Sequence, residues 1–369
     1  MKSIQTLLIL VIVLSTFSCG DNGIIEPEPP IDNFDRKELL IDVADGIIIP
    51  VFEDYVSKIQ ILNSTAHSFV IDPSKTNLDL LRGHWLEAYK SWQYVSMFDL
   101  GKAEEIGLRN FTNIFPTNAL EIDENILSGD YNLDLPSKND EQGFPALDYL
   151  LYGIGDSDEE ILLKYEESSH TTYLTDLTQK LENMGTEVLN DWKNGYRDIF
   201  VDNDGTSSTS SVNKMVNDYL FYYERFLRAG KIGIPAGVFS GDPLKDRVEG
   251  YYAKEISKEL FLTGLNACKR FFNGMNFNTD AIGTGLKAYL DYLNSIKEGD
   301  DLSQLINTQF DAIQESTQDL DENFEAQIET DNLKMLATYD ELQKNVILLK
   351  VDMLQALNIK IDFVDADGD

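Results

Sequence analysis

Leu81-Arg82-Gly83-His84-Trp85-Leu86-Glu87-Ala88-Tyr89-Lys90-Ser91-Trp92-Gln93-Tyr94-Val95 repeats its large apolar side chains with a helical step. Leu81, Trp85, Ala88, Trp92 and Val95 are separated by four, three, four and three residues, which aligns them on one face when each residue turns about 100° around the axis. The same spacing recurs in Met215, Tyr219, Tyr222, Phe226 and in Leu342, Val346, Leu349, Met353, Leu357. Period-two alternation is scarce. Only Ile359-Lys360-Ile361-Asp362-Phe363 alternates cleanly, and a lone strand has nothing to pair with unless the segment stays irregular. From Arg36 onward the body is predicted to be all-α.

Outward from these helices, the polar, aperiodic run Asp202-Asn203-Asp204-Gly205-Thr206-Ser207-Ser208-Thr209-Ser210-Ser211 reads as a break. It divides the body into two helical-bundle subdomains, 36–200 and 212–369, joined by a linker at 201–211. Each part is long enough for three or four helices. The N-terminus has a basic start at Lys2 and an apolar run from Leu7 to Leu14, too short for a membrane span, followed by small residues before Cys19. This reads as a bacterial lipoprotein signal over 1–18, with Cys19 as the lipidated residue and the membrane as a partner through that anchor. The Pro- and acid-rich residues 19–35 read as a flexible tether. The expected location is the cell envelope, lipid-anchored at the outer membrane on its periplasmic or surface face.

Over 369 residues, 43% are apolar, and 64 Asp and Glu stand against 30 Lys and Arg, a formal net charge of −34. Such a chain repels a phosphate backbone, so nucleic acid is not an expected partner; cations and basic proteins are attracted instead. No zinc-peptidase His-Glu-x-x-His, Gly-x-Ser-x-Gly, phosphate-binding Gly loop or Cys/His cluster occurs. His67 and His170 stand alone in polar surroundings and read as surface residues. His84 and Glu87, three apart on the Trp85 helix, are a candidate metal pair, although Glu87 lies about 130° from the apolar stripe and so points to solvent. Asp202-Asn203-Asp204-Gly205 fails as a calcium loop because Phe200 and Ser211 occupy the first and closing ligand positions. The end Asp365-Ala366-Asp367-Gly368-Asp369 reads as a solvated acidic tail. Cys268, in an apolar run without an activating partner, reads as a small buried thiol.

Gly143-Phe144-Pro145-Ala146-Leu147-Asp148-Tyr149-Leu150-Leu151-Tyr152-Gly153 reads as a short helix, with Pro145 in its first turn, Gly153 as its stop and Asp148 close enough to the start to feel the helix dipole. At this segment the chain resembles the imelysin-like family of bacterial periplasmic proteins and lipoproteins. That family carries Gly-x-His-x-x-Glu, matched here as Gly143-Phe144-Pro145-Ala146-Leu147-Asp148. Arg82 with Trp85, Ala88, Tyr89 and Trp92, then Ile114-Phe115-Pro116, Lys231-Ile232-Gly233-Ile234-Pro235-Ala236-Gly237 and the C-terminal Leu357-Asn358-Ile359 agree with it in order. The resemblance implies a two-bundle all-α fold with a functional site at the Gly143–Asp148 element. It also implies either an accessory role in uptake of iron or another cation, or the peptidase activity for which the family is named. Here Pro145 replaces the motif His and Asp148 the motif Glu, which takes away a ligand and a proton shuttle. The expectation is therefore a non-enzymatic, envelope-anchored binding protein in iron or metal uptake, beside an outer-membrane transporter, with Asp148, His84 and Glu87 as candidate ligands for a hard cation. A metallopeptidase and a protein-binding adaptor are the alternatives.

Overall fold

The computed structural model describes residues 32–297 and 299–363. The signal segment 1–18, Cys19, most of the tether and the acidic end 365–369 lie outside the described residues.

Asp35 opens the body by accepting a hydrogen bond from Glu38 N (2.9 Å), capping helix α1 (Arg36–Val43) at the residue where periodicity begins. A π-helical turn, Ala44–Ile48, carries the chain into α2 (Ile49–Ile71), which has Pro50 in its first turn, where no N–H is required. Ser74 then caps α3 (Lys75–Val95). The remaining principal helices are α4 (Gly143–Asp148), α5 (Ser168–Asp191), α6 (Ser211–Phe221), α7 (Ser257–Phe272), α8 (Leu302–Ser316) and α9 (Phe324–Val346). α6 passes directly into a long π-helical stretch, Tyr222–Gly233. Strand structure among the described residues is confined to the two-residue antiparallel arms Ile296–Lys297 and Asp300–Asp301 and one isolated bridge. The all-α expectation holds.

α2 packs between α3 and α5, while α9 packs against α8 and the Tyr222–Gly233 stretch; α7 closes onto α3. From Phe34 onward the described residues form one compact unit. Between the helix Arg197–Asp202 and α6 runs the helix-free loop 203–210, tied by Ser211 N to Asn203 O (3.0 Å) and by Asn203 Nδ2 to Thr209 O (2.8 Å).

The aromatic stripe of α3 is fully buried. Trp85, Trp92 and Tyr89 are each at most 1% exposed, and burying a side chain of that size removes about 150–250 Å² from water. The stripes from Met215 and Leu342 also face inward, with Phe226 half-buried at the edge. Residues 359–363 stay irregular, as expected of an unpaired strand, and the buried Asn217 supplies the missing partner. Its Nδ2 donates to Lys360 O (2.9 Å) and its Oδ1 accepts from Asp362 N (3.1 Å). Cys268 is buried, and burial pushes its thiol far above the ordinary range. His67 is exposed, whereas His170, on the first turn of α5, is half-buried, with its side chain 12% exposed and edge-on to Tyr165. No helix among the described residues is long and apolar enough to cross a membrane.

Candidate functional site

The α3 stripe positions the Gly143–Asp148 segment. Trp85 Nε1 donates to Phe144 O (3.3 Å), and the Tyr89 ring stacks on Phe144 with centroids 4.6 Å apart and planes 6° from parallel. Gly143 has φ +76°, and a Cβ there would lie 2.1 Å from the Thr112 carbonyl oxygen. Only glycine fits. Pro145 follows in the first turn, buried, and offers no donor or ligand atom.

Asp148 ends α4 and is 2% exposed. Its carboxylate does not serve its own helix N-terminus. Oδ2 accepts from Tyr252 N and Oδ1 from Ala253 N, both at 2.9 Å, so one side chain holds a loop more than a hundred residues away. Burial pushes its pKa up to about 7; the two backbone N–H groups pull it down and nearby Glu249 pushes it up further.

Glu249, at the start of that loop, is buried and works as a hub. Its Oε1 accepts from Asn113 Nδ2 (2.8 Å) and Gln93 Nε2 (3.2 Å), its Oε2 pairs with buried Lys231, and its carbonyl accepts from Ser257 Oγ (2.8 Å). Tyr89 OH donates to Asn113 Oδ1 (2.7 Å), which links the hub to the aromatic stripe. Burial holds Lys231 below the usual lysine range, against the opposing pull of Glu249. Sequence reasoning missed Glu249, Asn113 and Gln93. For Lys231 the available signal was a charge inside Lys231-Ile232-Gly233-Ile234-Pro235.

Between α4 and the loop lies a half-open recess of about 130 Å³. Phe115, Pro116, Pro145, Tyr251 and Tyr252 line it, with Asp148 and Asp246 as its charged residues. Tyr252 packs against both Tyr251 and Tyr149 (centroids 5.1 Å in each case), and Tyr149 OH donates to the Asp123 carboxylate.

His84 and Glu87 do not join this recess. Glu87 is exposed, as its angle on the helix predicted, and accepts from Lys90 Nζ (2.9 Å); Asp148 takes its hydrogen bonds from Tyr252 and Ala253. Among the described residues no three His, Cys, Asp or Glu side chains are grouped so as to hold a metal ion. With Pro145 inert and both Asp148 oxygens engaged, the residues present at the motif do not fit a metal centre.

The imelysin family model matches residues 48–349, most of the chain. The chain belongs to the imelysin family. Two crystal structures share the fold of this imelysin-family protein. An imelysin-like protein from Psychrobacter arcticum 273-4 superposes with a TM-score of 0.69 at 18% identity, covering 89% of this chain and 97% of its own. A protein described as an iron-regulated protein A precursor, from Parabacteroides distasonis ATCC 8503, gives 0.67 at 16% identity, covering 86% and 95% respectively. No curated protein matches the chain.

Proposed function

We propose that this imelysin-family chain is a non-enzymatic binding protein of the cell envelope, an accessory to uptake of iron or another metal, with the recess between α4 and the Gly250–Ala253 loop as its binding surface. One observation carries the reading: the motif carboxylate is engaged as a clamp on the Tyr252 and Ala253 amides, beside a proline. A general base or a metal ligand needs a lone pair directed at its target, and a proton shuttle needs the imidazole that Pro145 lacks. The similarity to an iron-regulated protein supports a place in metal uptake. Since the motif does not suit chelation, that place is recognition of another component, with the metal as cargo rather than as a resident of the recess. The lipoprotein-type N-terminus supports an anchored position near a transporter.

The test joins three measurements on the intact chain. Equilibrium dialysis against Fe(II), Fe(III), Zn²⁺ and Ca²⁺ is expected to leave no stoichiometric metal, and incubation with unfolded casein is expected to give no cleavage. A photo-crosslinker at Thr117, on the rim of the recess, is expected to capture an outer-membrane transporter in cells. Chelator-sensitive proteolysis, or one equivalent of metal lost in Asp148→Asn, overturns the proposal.

A further inference from the structure

The recess is aromatic and acidic, and no Lys, Arg or His lines it. Tyr251 and Tyr252 form one wall, with their rings nearly perpendicular, and Phe115 forms another. Asp246 and Asp148 are its acidic residues. Of the cations near the rim, Lys245 pairs with Glu329 and approaches Glu325, and Lys254 lies 4.0 Å from Glu325, while Arg247, next to Asp246 in the chain, is exposed. Both tyrosines feel a surplus of negative charge, Tyr251 from Glu325 and Asp246 and Tyr252 from Asp148 and Asp123.

A metal ion does not suit this lining, because the acids are not grouped as ligands. An anion is repelled. Aromatic faces attract a diffuse cation through their quadrupole, and the Asp246 carboxylate on the lining supplies the opposite charge. At about 130 Å³ the recess lies well under the size of whole-ligand sites, roughly 300–1,000 Å³, so it admits a head group whose stem remains outside.

We infer that the recess receives the guanidinium or ammonium head of an Arg or Lys side chain presented by a partner polypeptide. This rests on the binding role proposed above and specifies its chemistry. The half-open shape favours a side chain reaching in from a larger body, and the net charge of −34 draws a basic segment toward the surface.

Isothermal titration calorimetry of the full chain with the capped peptide Gly-Gly-Arg-Gly-Gly, its citrulline counterpart and agmatine tests this. The Arg peptide is expected to bind saturably and the neutral citrulline peptide about tenfold more weakly, with Asp246→Asn and Tyr251→Ala each weakening the Arg peptide by about threefold to fivefold. Equal binding of the citrulline peptide overturns the cationic selectivity, and agmatine binding more tightly than the peptide overturns the polypeptide source. Absence of any binding overturns the inference outright. The proposed function fails separately, by proteolysis or by stoichiometric metal.

Discussion

Replacing Asp148 with Asn tests which of two opposed effects governs the motif carboxylate. Two backbone N–H donors at 2.9 Å favour the ionised form, while a side chain only 2% exposed pays for desolvation. Burial prevails, raising the pKa from 3.8 to about 7. Below pH 3.8 the folded and unfolded chains both carry the proton and the site is neutral in energy. Above about pH 7 the folded chain must hold a buried charge. Between these limits the folded state binds more protons, so stability falls as pH rises. The interval spans roughly three pH units, and at about 1.4 kcal/mol per unit the loss approaches roughly 4 kcal/mol. Asn cannot ionise, and its amide turns an NH₂ toward one of the two N–H groups, a pH-independent cost of about 1–3 kcal/mol. Urea unfolding of both proteins from pH 4 to pH 8 reads the difference, in which the titrations of other buried acids such as Asp218 largely cancel. The native protein is expected to be the more stable at pH 4, to lose that lead at no more than about 1.4 kcal/mol per pH unit, and to fall level with or below the variant by pH 8. A difference that stays flat, or that widens with pH, refutes the reasoning. It would mean that the two amides outweigh burial and that the folded carboxyl titrates at or below 3.8.

Gly143→Ala places a methyl group 2.1 Å from Thr112 O at a left-handed φ, and is expected to cost at least about 3 kcal/mol in urea unfolding. Lys231→Met leaves Glu249 charged and buried, a loss of about 3–5 kcal/mol. Adding Glu249→Gln is expected to recover part of it, because a buried pair is costly chiefly when one partner is missing. Glu87→Ala removes only an exposed contact to Lys90 and is expected to shift stability by less than about 1 kcal/mol and to leave peptide titrations unchanged.

The fold was legible because its signal is local. A step of three and four along Leu81, Trp85, Ala88 and Trp92 needs no knowledge of the rest of the chain, and the same arithmetic turned Glu87 outward. The site was legible only as a place. Gly143 and Asp148 could be singled out by their order beside a proline, but Asp148 in a short helix suggested a dipole partner, whereas its partners are Tyr252 and Ala253. No spacing rule reaches across such a separation. The same holds for Glu249, whose donors come from Gln93, Asn113 and Lys231, three stretches that meet only after α3 and the Tyr222–Gly233 helix have packed. His170 differs in degree for a related reason: polar neighbours in sequence suggested exposure, yet the Tyr165 ring packs edge-on against it and leaves it half-buried. What the two legible motif residues do is set by those distant contacts. Gly143 lets α4 approach the Thr112 carbonyl, and Asp148 then reaches the loop that carries the tyrosines. Building the wall of the recess thus uses a bare Cα at Gly143 and a carboxylate at Asp148, and asks for no ring nitrogen at position 145.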